Sequence, residues 1–184
     1  MRHVTFITGN QHKADYLASA LGLPLAHHKL ELAEMQSLDL RQVADHKARQ
    51  AYALLKRPLL VDDVALTFHA LGGLPGTFVR WFLEEVGLEN MCRMLDPFKD
   101  RRARAECALV YYDGEQLEVF VRKVEGTIAE HPRGNNGFGW DSIFIPNGQH
   151  KTRAQMDPHD PQTYISVRPV TELRAFLSAR IAKS

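Results

Sequence analysis

The sequence predicts an α/β fold in which helices flank a mixed central sheet, and two observations support this. In the first half of the chain, short apolar runs typical of buried strands alternate with stretches whose apolar residues recur at helical spacing. In the second half, two strand-like runs flank Asp113-Gly114, a pair typical of hairpin turns. Early strand–helix units give parallel strands and a later hairpin gives antiparallel ones, so we expect a mixed sheet.

The first half carries both kinds of element, separated by turn residues. The longest is an amphipathic pattern whose apolar positions fall near one helix face, and Pro58 follows it. The predicted elements of this half are a strand at 4–7, a helix at 14–21, an extended segment at 23–32, a helix at 38–55, a short strand at 59–61 and helices at 78–86 and 90–95.

The second half is richer in strands and loops. Glycine and proline clusters mark its turns, and an amphipathic helix closes the chain. Its predicted elements are hairpin strands at 105–112 and 116–124, a loop at 134–139, a short strand at 142–145, a turn at 146–148, a mobile loop at 157–162 and a helix at 170–181.

Composition narrows the functional classes. The chain has 184 residues, with 23 Lys and Arg against 22 Asp and Glu. We therefore expect one domain, residues 1–184, without the basic field that nucleic-acid binding needs. No apolar run approaches the length of a membrane span, and the N-terminus lacks a signal-peptide pattern. Cys92 and Cys107 lack metal-ligand spacing, which predicts reduced thiols in the cytoplasm.

The first motif with chemical potential links the first strand to the first helix, at Thr8-Gly9-Asn10-Gln11-His12-Lys13. Gly9 lets the backbone approach a ligand closely, and free N–H groups at a helix start favour an anion. Lys13 adds a mobile cation suited to phosphate oxygens. An ordinary turn with a surface lysine explains this hexapeptide equally well on its own.

Acidic residues follow two extended segments. Asp62-Asp63 are predicted to end the strand at 59–61, where ligands bind in open α/β sheets. Adjacent side chains on a strand point oppositely, so one is expected to act and the other to support it. Carboxylate oxygens such as those of Asp62-Asp63 suit Mg²⁺. Glu34 is a second acid after an extended segment and is unremarkable by itself. A simple turn pair is the alternative for Asp62-Asp63.

Two glycine-rich segments complete the candidate chemistry. Gly72-Gly73-Leu74-Pro75-Gly76 leads into a helix with Arg80, which is predicted to reach an anion near the helix start. The segment 137–141 sets Phe138 and Trp140 between glycines beside Asp141. Aromatic faces exposed on a loop suit a nucleobase, and a carboxylate accepts base N–H groups. Buried aromatic core is the alternative.

These blocks occur together, in this order, in the inosine triphosphate pyrophosphatase family, the non-canonical purine nucleoside triphosphate pyrophosphatases. The chain resembles that family from Thr8 to about Arg168. The matching stretches are Thr8-Gly9-Asn10 with Lys13, Leu60-Val61-Asp62-Asp63, Ala70-Leu71-Gly72-Gly73-Leu74-Pro75-Gly76, Arg80-Trp81-Phe82, and Gly137-Phe138-Gly139-Trp140-Asp141 with Ile143-Phe144 and Pro146.

The resemblance implies an elongated two-lobed fold with the active cleft between its lobes, a homodimer, and Mg²⁺-dependent hydrolysis of ITP, dITP and XTP to monophosphate and pyrophosphate. It implies that Glu34 and Asp63 hold the metal and that Asp63 orients or deprotonates the attacking water. The substrate-binding residues that it implies are Thr8, Gly9, Asn10, Lys13, Lys47 and Arg80 at the triphosphate, and Phe138, Gly139, Trp140, Asp141 and Arg168 at the base.

Four positions depart from the family pattern. Val167 stands where the family usually has histidine, Gln162 where it commonly has lysine, Gln155 where it has glutamate, and Tyr16 where a glutamate is expected. Losing one donor to the base costs about 1–3 kcal/mol if its partner stays buried. We therefore predict relaxed or shifted base preference, and leave open whether Tyr16 and Gln155 reduce turnover.

Two other functional classes compete with this prediction. A catalytically weak nucleotide-binding protein that retained the cleft is favoured by Tyr16 and Gln155, and opposed by the intact acids and lysines. A nucleic-acid-binding module has only the basic run at 99–104 and the aromatic loop in its favour, and that run is typical of a solvated strand entrance.

Overall fold

The computed structural model describes residues 4–158, 160 and 164–181. Within this part of the chain seven strands form one mixed sheet in the order β2-β1-β3-β5-β6-β7, with β4 paired to β3. The strands are β1 (Thr5–Ile7), β2 (Ala26–His28), β3 (Leu59–Phe68), β4 (Pro75–Gly76), β5 (Arg102–Tyr112), β6 (Leu117–Ile128) and β7 (Phe144–Pro146).

Five α-helices accompany this sheet in the described residues. They are α1 (Gln11–Leu21), α2 (Leu40–Leu55), α3 (Val79–Trp81), α4 (Leu88–Arg93) and α5 (Val170–Ile181). A π-helical turn, Phe82–Val86, continues α3, and short 3₁₀ turns lie at His69–Leu71 and Arg153–Gln155. None of the described helices has the length and apolar character needed to cross a membrane.

Strand pairing confirms the predicted mixed α/β fold. β1 runs parallel to both β2 and β3, with Ile7 opposite His28 on one side and Val61 on the other. β4 is antiparallel to β3, and β7 is antiparallel to β6. The early units therefore supply parallel strands and the later part supplies antiparallel ones, as the sequence predicted.

The prediction that Asp62-Asp63 end their strand is wrong. β3 continues to Phe68, because Ala65, Leu66 and Phe68 are buried and Leu66 pairs with Gly76 of β4. The neighbouring strand β1 does end here, since its last paired residue is opposite Val61. The two carboxylates therefore lie just beyond the carboxyl end of β1, although β3 itself runs on.

Helix boundaries follow capping residues that the apolar pattern does not reveal. α1 begins at Gln11, three residues before the predicted start, because the Asn10 side chain caps it. Asp39 caps α2 in the same way, so that helix begins at Leu40, two residues after the predicted start, and it ends at Leu55, as predicted. The predicted final helix is confirmed as α5.

The remaining differences concern lengths. Regular strand in the predicted extended segment 23–32 is limited to β2, whereas the hairpin strands β5 and β6 are longer than predicted. In the predicted mobile loop 157–162, residues 159 and 161–162 lie outside the described part of the chain, and so does the predicted base-facing position Gln162.

The described chain forms two compact units. The first contains the residues up to Asp63, the segment 107–122 and the residues from Arg168 onward. The second contains 64–106 and 123–167. The single domain over residues 1–184 and the cleft between lobes stay predictions.

Each unit has its own buried core. In the first, Phe6 and Leu17 are buried, and α5 packs near α1 with Leu173 buried. In the second, Met91, Leu95 and Phe144 are almost wholly buried, and Phe144 meets the Trp140 ring edge-on at 5.7 Å between centroids.

Candidate active site

The loop that follows β1 is held by its own polar groups. The backbone N–H of Asn10 donates to Thr8 Oγ1 at 3.1 Å, and the side-chain oxygen Oδ1 of Asn10 accepts from the backbone N–H of Lys13 at 3.1 Å. The Thr8 amide donates to the His28 carbonyl of β2. A side chain at Gly9 would come within 3.0 Å of the Lys29 Cγ atom. This arrangement sets Lys13 in the first turn of α1.

Asp62 lies at the centre of a charged cluster in the first unit. Its carboxylate accepts from Lys13 Nζ at 3.2 Å through Oδ1 and from the Arg168 guanidinium at 3.4 Å through Oδ2. The Asp62 side chain is 3% exposed, and the Arg168 side chain is 8% exposed. The Arg168 guanidinium also lies over the Tyr16 ring, 5.3 Å from its centroid. The buried Asp62 carboxylate thus pairs with one cation from near each end of the sequence, Lys13 and Arg168.

Asp63 faces a different lysine. Lys47 Nζ, on α2, donates to Asp63 Oδ2 and to the Asp62 carbonyl, both at 3.1 Å. The Asp63 side chain is 20% exposed, so solvent reaches it, whereas Asp62 is buried. Asp63 is thus the more accessible of the two acids, and which of them acts and which supports stays a prediction.

Glu34 is positioned by a residue that sequence analysis did not single out. Gln50 on α2 clamps the backbone of Ala33, accepting its N–H at 3.2 Å and donating to its carbonyl at 2.8 Å. Glu34 follows directly, is exposed, and interacts electrostatically with Lys47. A glutamine among helix residues gives no sequence signal of this clamp, because its partner is backbone 17 residues away.

The charges of this cluster stabilise one another. Burial alone would raise the pKa of Asp62, but Lys13, Arg168 and Lys47 outweigh it and lower that pKa to about 2. Burial alone would lower the pKa of Lys47, yet Asp63, Asp62 and Glu34 together raise it. Asp62 is therefore an anion and Lys47 a cation throughout the physiological pH range.

The donor set suits a magnesium ion shared with a substrate. Within the described residues, no three His, Cys, Asp or Glu side chains form a group able to hold a metal alone. Mg²⁺ is commonly bound by one or two carboxylates together with substrate phosphates. The hard oxygen ligands of Asp63 and Glu34 fit that pattern, and the site residues predicted for the metal stay a prediction.

Arg80, predicted at the triphosphate, belongs to the second unit. It is the second residue of α3. Its side chain is 60% exposed, pairs with Glu84 at 2.8 Å, and lies 5.6 Å from the Trp81 ring centroid. Its phosphate-binding role stays a prediction.

The predicted base-binding loop also belongs to the second unit. Asp141 Oδ2 accepts the Phe138 amide at 3.1 Å, and a side chain at Gly137 would come within 2.3 Å of that oxygen. Trp140 is 7% exposed, so the expectation that both aromatic faces are exposed is wrong for this ring, which packs on Phe144. Phe138 is half-buried, and Gly139 is exposed.

Residues 4–171 match the sequence profile described as the Ham1 family. The chain belongs to the Ham1 family. The resemblance inferred from the motifs is thereby confirmed.

Relatives and a solved structure agree with this assignment. A protein from Yarrowia lipolytica named inosine triphosphate pyrophosphatase is 38% identical over 188 residues, covering 98% of each chain. One of the same name from Batrachochytrium dendrobatidis is 43% identical over 162 residues, covering 85% of this chain and 84% of its own. The Staphylococcus aureus Ham1 protein structure superposes with a TM-score of 0.77 at 26% identity, covering 96% of this chain and 98% of its own.

Three departures from the expected Ham1 pattern are placed by the structure. Val167 is buried. Gln155 completes a capping box with Thr152, whose amide donates to Gln155 Oε1 at 3.0 Å. Tyr16 lies beneath the Arg168 guanidinium. Arg168 itself, predicted at the base, meets Asp62 and Tyr16, and its base-binding role stays a prediction.

Proposed function

We propose that this Ham1 protein hydrolyses the triphosphates of non-canonical purine nucleosides, ITP, dITP and XTP, to the monophosphate and pyrophosphate. One observation carries the proposal. Lys13, Lys47 and Arg168 meet the neighbouring carboxylates Asp62 and Asp63 beside the carboxyl end of β1. The relatives named inosine triphosphate pyrophosphatase support the choice of substrate.

The cations would bind the triphosphate. Phosphoryl transfer depends mainly on positioning and on neutralising charge at the phosphate oxygens. Lys13 and Lys47 each carry a primary ammonium group whose side chain remains partly exposed, at 22% and 29%. We assign both to the triphosphate, together with Arg80 and the loop residues Thr8, Gly9 and Asn10.

Glu34 and Asp63 would hold Mg²⁺. When bound, this ion neutralises phosphate oxygens and lowers the pKa of a coordinated water. Lys47 keeps the Asp63 carboxylate in one orientation through the 3.1 Å bond to Oδ2. Gln50, through its clamp on Ala33, fixes the backbone from which Glu34 extends.

Asp63 would act on the attacking water by orienting it or accepting its proton. The water oxygen bonds to the α-phosphorus, and the bond from that phosphorus to the α,β-bridging oxygen breaks. Pyrophosphate leaves with the electron pair of the broken bond, and the water proton passes to Asp63 and then to solvent. A general base typically contributes about 10²–10⁴-fold to the rate.

The base would be held by the loop that contains Phe138, Gly139, Trp140 and Asp141, with Arg168 as a further contact. We propose relaxed or shifted base preference, because the Val167 side chain has no hydrogen-bond donor, whereas the family usually has histidine at this position. A missing donor weakens the preference for one base without removing phosphate binding.

A substrate panel tests this function. Purified protein is incubated with ITP, dITP, XTP, GTP and ATP, with Mg²⁺ and with EDTA, and pyrophosphate release is measured. In H₂¹⁸O the label is expected in the monophosphate, because water attacks the α-phosphorus. Preference for ITP and XTP over GTP and ATP by orders of magnitude would contradict the relaxed pocket, and activity unchanged by EDTA would contradict the Mg²⁺ requirement.

A catalytically weak nucleotide-binding protein is the second candidate. The observation in its favour is Tyr16, an uncharged residue beside Arg168 where a glutamate is expected. Gln155 no longer favours it, because a glutamine performs the capping-box bond as well as a glutamate does. Binding of ITP without pyrophosphate release, unaltered in Asp63→Asn, would favour this second function.

A homodimer completes the proposal, on the strength of the family resemblance, and its location in the cytoplasm rests on the two cysteines expected to be reduced thiols. Sedimentation velocity at micromolar concentrations gives the mass directly. A mass of twice the 20.9 kDa chain is expected, and a single-chain mass at every concentration would contradict the dimer.

A further inference from the structure

The base-binding loop is attached to a buried arginine that the proposed mechanism does not use. Arg153 begins the 3₁₀ turn after Thr152, and its side chain is 2% exposed. A fully buried arginine is rare unless its charge is paired. The burial of Arg153 therefore depends on groups in the second unit that pair with its charge.

All three nitrogen atoms of the Arg153 guanidinium group donate hydrogen bonds. Nε donates to Asp141 Oδ1 at 2.7 Å, and one terminal nitrogen donates to the Ile165 carbonyl at 2.6 Å. The other terminal nitrogen donates to the Tyr164 hydroxyl. Each of the three acceptors is thus bonded to a different nitrogen atom of the planar guanidinium, whereas the three N–H groups of a lysine ammonium share one nitrogen atom.

Two aromatic rings flank the same group. The guanidinium carbon lies 4.8 Å from the Tyr164 ring centroid and 5.9 Å from that of Trp140. Both distances allow cation–π attraction, which strengthens where water is excluded. Arg153 thus contacts Trp140 and Asp141, two of the four loop residues assigned to the base.

Asp141 transmits this anchorage to the exposed part of the loop. Its Oδ1 accepts from Arg153, and its Oδ2 accepts the Phe138 amide. The Asp141 carbonyl accepts the Ala154 amide at 3.0 Å, and the Asn136 amide donates to the Ala154 carbonyl at 2.9 Å. Both ends of the aromatic loop are therefore tied to the turn that begins with Arg153.

We infer that Arg153 is a positioning residue for base recognition: it fixes Asp141 and Trp140, and through Asp141 it fixes the backbone of Phe138. The inference rests on the proposed function, because the loop is the proposed base site. Its consequence is selective. Loss of Arg153 disturbs recognition of the base and leaves binding of the triphosphate by the first unit intact.

The test compares a nucleotide with a ligand that has no base. The variants are Arg153→Met, which removes the charge, and Arg153→Lys, which keeps it. Arg101→Lys is the matched control, because Arg101 belongs to the same unit and its guanidinium donates to the carbonyls of Ile128, Ala129 and Cys92. Each protein is assayed for kcat and KM with ITP and GTP, and for inhibition by tripolyphosphate.

Arg153→Met is expected to lower kcat/KM for ITP by roughly 100-fold, since misplacement by about 1 Å costs that much, while the tripolyphosphate inhibition constant changes by less than about 3-fold. The kcat/KM of Arg153→Lys with ITP should lie between the values of Arg153→Met and of the wild type. This variant should also alter the ratio of kcat/KM for ITP to kcat/KM for GTP. Arg101→Lys should lower the unfolding temperature and leave that ratio unchanged. Equal losses of ITP turnover and tripolyphosphate binding, or an unchanged ratio in folded Arg153→Met, would overturn the inference.

A binding readout separates this inference from the proposed function. The chain has two tryptophans, so Trp81→Phe leaves Trp140 as the sole reporter. ITP is expected to quench Trp140 emission, and Arg153→Met should weaken that binding roughly 100-fold. If the protein binds ITP with this dependence but releases no pyrophosphate, hydrolysis is contradicted and the positioning role stands. If ITP does not bind at all, both are overturned.

Discussion

Two buried aspartates, one in each unit, show how the same side chain serves two purposes. Asp62 in the first unit accepts from two cations, Lys13 and Arg168, and a third, Lys47, contacts its carbonyl. Asp141 in the second unit has one arginine, and its other oxygen holds a loop amide. The first arrangement concentrates positive charge that a phosphate can use, whereas the second is a one-to-one pair that fixes a loop.

The residues next to these two aspartates also differ between the two units. Asp62 is followed by the partly exposed carboxylate Asp63, which interacts with Lys47. Asp141 is preceded by Trp140, which is buried against Phe144. We therefore expect the cluster around Asp62 and Asp63 to carry the reaction and the loop fixed by Asp141 to carry selectivity for the base.

The largest effect is expected at Asp63. Asp63→Asn should reduce kcat with ITP by roughly 1,000-fold, because it removes the group that orients or deprotonates water. The stability of the variant should change little, since Asp63 is partly exposed and its asparagine still accepts from Lys47. The measurement is pyrophosphate release together with thermal unfolding. Retention of wild-type kcat in the folded variant would contradict the catalytic role and favour a binding protein.

Asp62, unlike Asp63, is expected to affect the free energy of unfolding. Its folded pKa, about 2, lies below its unfolded value of 3.8, so its stabilising effect is present above pH 4 and is lost as the pH falls from about 4 to 2. The free energy of unfolding in metal-free buffer should therefore drop by about 2 kcal/mol over this range. Asp62→Asn should be less stable at pH 7 and should show a shallower decline. Parallel pH profiles of the two proteins would contradict this account.

Much of the fold follows from the sequence, because its signals are local. Periodicity gives α2 and α5, and Asp113-Gly114 gives the hairpin between β5 and β6. The end of β3 does not follow, because two acids interrupt the apolar run while pairing with β4 keeps the strand extended. That pairing joins residues that local sequence reasoning does not connect.

In the candidate site too, some residues can be predicted from local sequence and others cannot. Motif order brings Lys13, Lys47, Asp62 and Asp63 to attention, and the structure places them together. Arg153 escapes sequence analysis because it belongs to none of the motifs singled out there, and its partner Asp141 is 12 residues away. Whether an arginine is exposed or buried depends on tertiary packing, which short-range patterns do not encode.

A smaller effect is expected at Arg80, for which Arg49 is a matched control. Both side chains are exposed and form ion pairs with an acid four residues along their own helical segment, Glu84 and Asp45. Arg80→Gln should weaken tripolyphosphate inhibition about 10-fold, the equivalent of one lost charge-assisted hydrogen bond. Arg49→Gln should not, and both should keep stability within about 0.5 kcal/mol of wild type. Equal inhibition constants in the two variants would remove Arg80 from the phosphate site.

The smallest expected effect is a change in how fast the two cysteine thiols react. Because each unit contains one of them, their labelling rates report on the two units separately. Burial raises the pKa of Cys107 in the first unit to about 12 and that of Cys92 in the second to about 11. Neither thiol should react with a disulfide reagent at pH 8 in the native protein, because labelling requires the unit to open. Asp62→Asn should accelerate labelling of Cys107, and Arg153→Met that of Cys92, as resolved by mass spectrometry of the labelled peptides. If each variant accelerates both thiols equally, the two aspartate clusters stabilise one cooperative structure, and the division of roles then applies to binding alone.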